Sequence, residues 1–121
     1  MKNQTYRMTM LFDFYGDILT ERQRELFDLY YNEDLSLAEI AENCGISRQG
    51  VRDVIVRAEA AMNELEDKTG LLKRFMRIQD SVDAIVAAAN EIKTINYRQY
   101  ENHRLEELAD SIIAGAGVLK E

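Results

Sequence analysis

The chain has 121 residues, of which 46% are hydrophobic and none is proline or tryptophan. That is enough apolar material for one domain, or one domain with a helical extension. The formal net charge of −7 excludes global steering toward nucleic acid by a positive field, though a local basic patch remains compatible with it. A single cysteine, Cys44, excludes an intrachain disulfide, and with a single histidine, His103, it leaves too few ligands for a zinc site.

No cofactor is therefore expected. Cys44 reads as a small core residue and His103 as a solvated one. The longest purely apolar run, residues 84–89, is too short to span a bilayer. The opening MKNQTYRMT has no apolar signal core. A cytoplasmic protein without membrane insertion is expected. Few stretches read as strands, so an all-α fold is the default.

The first helix is predicted from about Thr5 to Leu19, with Met8, Leu11, Phe12, Tyr15, Ile18 and Leu19 as its buried stripe. Gly16 weakens it by ~1 kcal/mol relative to alanine and is read as allowing a close helix crossing. Thr20 caps a second helix, Glu21 to about Tyr31, with Leu26, Leu29 and Tyr30 facing inward. Asn32, Glu33 and Asp34 make a polar break, and Leu35 stands as a hydrophobic staple before the next cap.

Ser36 to Arg57, SLAEIAENCGISRQGVRDVIVR, carries the strongest pattern. Ser36 with Glu39 three residues on forms a capping box, and Ser47 caps a further helix. Gly45 falls where the first of these helices must stop and reverse, which calls for a left-handed residue. Ile40, Ala41 and Cys44 share one face, Val51, Val54 and Ile55 share another, and Ile46 packs between them. This is a helix-turn-helix pattern, whose second helix normally enters the major groove of DNA.

That second helix continues through Ala58, Ala61, Met62 and Leu65 to about Lys68, until Thr69-Gly70 breaks it. Beyond Gly70, residues Leu71, Phe75, Ile78, Val82, Ile85, Ala89 and Ile92 alternate steps of four and three, a heptad seam. A last helix, about Tyr97 to Ala114, aligns Leu105, Leu108, Ile112 and Ile113, with Gly115 and Gly117 fraying its end. Two amphipathic helices cannot bury two apolar stripes against themselves alone and need the N-terminal domain or a second subunit; of the two, a homodimer is expected. Residues 1–69 read as a helix-turn-helix domain and residues 70–121 as a C-terminal helical dimerisation or extension region.

No serine–histidine–acid set, glycine-rich phosphate loop or metal cluster stands out, and an enzyme is not expected. The candidate nucleic-acid-binding residues are Ser47, Arg48, Gln49, Arg52 and Arg57 on the second motif helix, with Arg22 and Arg24 before it and Lys73, Arg74 and Arg77 after Gly70 as backbone contacts. Asp53 works against phosphate unless it is neutralised, and Arg57 four residues on is spaced to do so. Residues 20–70 carry six basic against twelve acidic side chains, a net of −6.

The run from Phe12 to Glu59 resembles the YlxM family of bacterial helix-turn-helix proteins. The resemblance is carried by Phe12-Asp13-Phe14-Tyr15-Gly16, Leu19-Thr20, Gln23, Tyr30-Tyr31, Asp34-Leu35-Ser36-Leu37, Glu39-Ile40-Ala41 and Ser47-Arg48-Gln49, then Val51, Asp53 and Arg57. It covers about residues 7 to 70, and the tail matches only as two more helices. Gly50 departs from the alanine more usual in the family. Over a shorter span the motif is also similar to region four of sigma factors. The family resemblance implies a small, helical, non-enzymatic accessory factor of the signal recognition particle pathway of Gram-positive bacteria, binding the particle's RNA and modulating its GTPase. A DNA-binding transcription regulator is the competing expectation, and a protein–protein adaptor a third.

Overall fold

The computed structural model describes residues 5–120, which are all-α. The helices are α1 (Thr5–Tyr15), α2 (Glu21–Tyr31), α3 (Leu37–Cys44), α4 (Arg48–Thr69), α5 (Leu71–Ile95) and α6 (His103–Val118). A 3-10 turn, Gly16–Ile18, follows α1, and a π-helical turn, Asn96–Tyr100, follows α5. The chain falls into two compact units, one ending at Leu72 and the other beginning at Lys73.

In the first unit α1, α2 and α3 each pack on α4. Leu11, Leu26, Phe27, Ile40, Val51, Ile55, Ala58 and Met62 are completely buried. The Phe12 and Phe27 rings stack at 4.8 Å, and Phe27 meets Tyr31 at 4.5 Å. Phe27 and Tyr31 extend the inward face of α2 beyond the three residues its periodicity indicates.

Two expectations for the first helix change. The α-helix ends at Tyr15, and the 3-10 turn carries Ile18 outward, leaving it 55% exposed. The atoms nearest to a side chain added at Gly16 would be those of the Phe12 ring, at 3.2 Å. Gly16 therefore makes room for an aromatic of α1, the helix before it, rather than for a crossing helix.

Local signals place the remaining boundaries. Thr20 with Gln23, and Ser36 with Glu39, form reciprocal capping boxes. Gly45 closes α3 in the left-handed region at φ 68°, and the Ile46 amide donates back to the Ala41 carbonyl at 3.2 Å. That is the Schellman arrangement, which satisfies carbonyls the helix end leaves open. Gly70, at φ 64°, ends α4 in the same conformation.

A buried knot holds the end of α4. The Tyr15 hydroxyl donates to Glu66 Oε1 at 2.7 Å and lies 2.6 Å from Thr69 Oγ1. The Leu72 amide donates to the same Glu66 oxygen at 2.9 Å. Burial, more than the neighbouring Glu66 carboxylate, raises the Tyr15 pKa above its ordinary value.

In the second unit α5 and α6 form an antiparallel hairpin. Asn96 clamps its turn: the side-chain amide donates to the Asn102 carbonyl at 2.8 Å, and its oxygen accepts from the Asn102 amide at 2.9 Å. Glu101 takes a positive φ of 48°, and Asn102 caps α6. The last helix therefore begins at His103 rather than near Tyr97, and it runs through Gly115 and Gly117 to Val118 instead of fraying there. The buried line of the hairpin is Val82, Ala89, Asn96, Ala109 and Ala116. The seam read from the sequence shifts accordingly. Leu72, not Leu71, enters the first unit's core, while Ile78, Ile85 and Ile92 stay 38%, 43% and 43% exposed.

Candidate nucleic-acid interface

The second helix of the motif begins at Ser47, whose hydroxyl accepts from the Gly50 amide at 2.9 Å. Ser47 thus spends its side chain on the cap. A methyl group at Gly50 would sit 3.1 Å from that hydroxyl, so glycine keeps the cap unstrained here.

Arg48, Gln49 and Arg52, with Leu37 from α3, line one open hollow at the mouth of the motif. At 100° per residue, Arg48 and Arg52 lie within about 40° of each other on the helix. Arg57 is nine residues from Arg48 and falls on the opposite edge, so the motif does not bring it to the hollow. Val51, Ile55, Ala58 and Met62 turn inward and fix the rotation that exposes these groups.

Asp53 accepts from Gln49 Nε2 at 2.9 Å instead of pairing forward with Arg57. Gln49 is thereby held along the helix surface, and Asp53 gives up one acceptor that would otherwise face phosphate. Arg52 feels a second carboxylate, Glu59, whose own pKa is raised by burial, with the Tyr31 hydroxyl and Arg52 pulling it back. The Tyr31 hydroxyl and Glu59 Oε1 are buried without reaching hydrogen-bond geometry with a partner among the described residues.

Arg22 and Arg24 are exposed on α2, and Arg24 stands 3.9 Å from Asp17 in an exposed pair worth little energetically. Lys73, Arg74 and Arg77 belong to the second unit. Sequence reasoning missed two apolar members of the surface. Leu37 lines the hollow, and Val56, 39% exposed, lies on the outward face of α4 one turn beyond Arg52. An interruption in the charge pattern is their only sequence signal. Among the described residues no group of three or more histidine, cysteine or acidic side chains could hold a metal ion. No helix among them is long and apolar enough to cross a membrane.

A family model described as helix-turn-helix protein, YlxM / p13 like, matches residues 2–110. A UPF0122 protein of Thermoanaerobacter sp. (strain X514) is 51% identical over 78 residues, covering 64% of this chain and 67% of that protein. One from Bacillus thuringiensis (strain Al Hakam) is 41% identical over 112 residues, 93% of this chain and 96% of the relative. One from Acetivibrio thermocellus is 37% identical over 116 residues, 90% and 99% of the two chains. With its motif intact and the match running through both units, the chain belongs to the UPF0122 family of YlxM / p13-like helix-turn-helix proteins.

Proposed function

We propose that this protein is a non-enzymatic, cytoplasmic, nucleic-acid-binding accessory factor of the signal recognition particle pathway. In this reading it acts as a homodimer, binds the particle's RNA and modulates its GTPase. The observation that carries nucleic-acid binding is the placement of Arg48, Gln49 and Arg52 around one open hollow at the start of the motif's second helix. Guanidinium and amide donors there suit phosphate oxygens and base edges. The tie to the targeting particle comes from the YlxM family alone.

The competing reading is a DNA-binding transcription regulator. It is supported by the same helix, which in helix-turn-helix proteins enters the major groove. The acidic balance of the motif weighs against broad attraction to duplex phosphate. Residues 20–70 carry a net of −6, so affinity must come from a few local contacts.

Filter-binding titrations across salt concentrations, with the particle RNA and with random duplex DNA, separate the two. Arg48→Ala with Arg52→Ala should weaken association and flatten the salt dependence by about 0.7 to 0.9 in slope per lost phosphate contact. An unchanged affinity and slope in the double variant would remove this face as the binding surface. Preference for the duplex over the RNA would favour the regulator.

A further inference from the structure

The hollow at the mouth of the motif contains one side chain whose hydrogen bonding is half committed. Gln49 stands in the first turn of α4, and Asp53 follows four residues on, on the same helix face. Both are exposed, and Arg48 and Arg52 border the hollow with Gln49. Gln49 Nε2 donates to Asp53 Oδ1 at 2.9 Å. A carboxylate only accepts hydrogen bonds, so the amide must turn its nitrogen, not its oxygen, toward Asp53. A glutamine amide has two N–H donors and one acceptor oxygen. With one donor spent on Asp53, one donor and the acceptor remain, side by side on the same planar group.

That remainder fits one base. In a major groove the guanine edge offers two acceptors, N7 and O6, and calls for two donors, which Gln49 no longer has to give. Cytosine offers a single donor, N4, and thymine a single acceptor, O4, so neither engages both groups. Adenine alone sets an acceptor, N7, beside a donor, N6, and each meets its complement on the Gln49 amide. The same adenine edge is open in unpaired RNA, where no deep A-form groove shuts it away. The two arginines supply donors only, which suits phosphate or guanine.

We infer that Gln49 reads the N6/N7 edge of an adenine and that Asp53 is the positioning residue that sets its amide for that base. This rests on the nucleic-acid-binding reading of the hollow and adds to it the base recognised. It also gives a task to an acidic residue on a surface meant for phosphate: Asp53 touches the amide, not the nucleic acid. Both side chains are exposed, so their exchange leaves the core intact.

Selection by the full chain from a random duplex DNA pool and from a random single-stranded RNA pool tests the assignment. The parent should enrich adenine at one position, preferred on the order of tenfold over other bases. Enrichment from the first pool places that edge in a major groove, and from the second in unpaired RNA. At that position 7-deazaadenine, which lacks N7 but keeps its pairing edge, should weaken binding severalfold in the parent and not at all in Gln49→Ala. Gln49→Glu, an acceptor only, should move the preference to cytosine. Asp53→Ala frees the amide to turn and should blur the preference, whereas Asp53→Asn, whose side-chain oxygen still accepts, should keep it. An Asp53→Ala variant with the full adenine preference overturns the positioning role. Sequences enriched without adenine, or an adenine preference that survives Gln49→Ala, overturn the readout and leave nucleic-acid binding standing. No enrichment from either pool overturns both.

Discussion

Ile55 and Ile85 are the same residue on two long helices, and they meet different fates. Ile55 is completely buried among α1, α2 and α3, whereas Ile85 is 43% exposed on the hairpin. The first unit surrounds α4 with three helices, so bulky side chains find neighbours on several sides. The hairpin has one helix–helix seam, and the side chains filling it are mostly small: Val82, Ala89, Ala109 and Ala116. The larger isoleucines and leucines stand beside that seam rather than in it. The first unit buries its bulky apolar side chains, and the second leaves many of its own exposed.

The sharpest way to break the comparison is to truncate both isoleucines. Ile55→Ala should cost about 2–5 kcal/mol of unfolding free energy, read by denaturant titration, because it leaves a cavity in close-packed surroundings. Ile85→Ala should barely change that free energy, because a side chain already 43% exposed leaves no cavity behind. Equal losses in a dilute sample would show that the hairpin face is already covered within one chain.

A smaller effect is expected at the turn of the motif. Gly45 holds φ 68° with open space around its Cα, so Gly45→Val is penalised by backbone strain and not by a clash. The loss should be roughly 1–2 kcal/mol, with the Arg48 surface unaltered. A melting temperature equal to the parent's would contradict the left-handed cap.

The smallest effect concerns Glu59. Burial raises its folded pKa, so the folded state holds that proton more tightly than the unfolded chain does. Stability is then greatest below the unfolded carboxylate pKa of about 4.3 and falls as pH rises through the higher folded value. Glu59→Gln should raise the melting temperature at pH 7, with the gain fading below about pH 4. It also removes a carboxylate that competes with phosphate for Arg52, so nucleic-acid affinity should rise slightly. A variant no more stable at pH 7 than the parent would show that Arg52 and Tyr31 fully offset the burial.

How much of this was legible depends on how local its cause is. Thr20, Ser36, Ser47, Gly45 and Gly70 mark helix ends through contacts within a few residues, and they read directly from the chain. The hairpin turn did not. It contains neither glycine nor proline, and it depends on Asn96 reaching across to Asn102 and on Glu101 adopting a positive φ. The line chosen for α5 joined two neighbouring stripes, because spacing alone cannot say which faces α6 and which faces away. At the candidate site, the outward rotation of Arg48, Gln49 and Arg52 follows from the apolar stripe behind them. Gln49's choice of Asp53 as partner, and Leu37's place in the hollow, require the fold. The nature of the bound nucleic acid is not written in these residues, since an arginine meets RNA and DNA phosphates alike.

The knot around Glu66 has a consequence for how the chain breathes. Amides in the first turn of a helix normally lack an internal acceptor and exchange with solvent quickly. The Leu72 amide lies in the first turn of α5, yet it donates to a carboxylate buried beneath Tyr15, and its own side chain is 2% exposed. Its hydrogen can be released only when its bond to that carboxylate breaks. The Leu72 amide is thus expected to exchange slowly for a helix start, at a rate that reports the opening of its bond to Glu66.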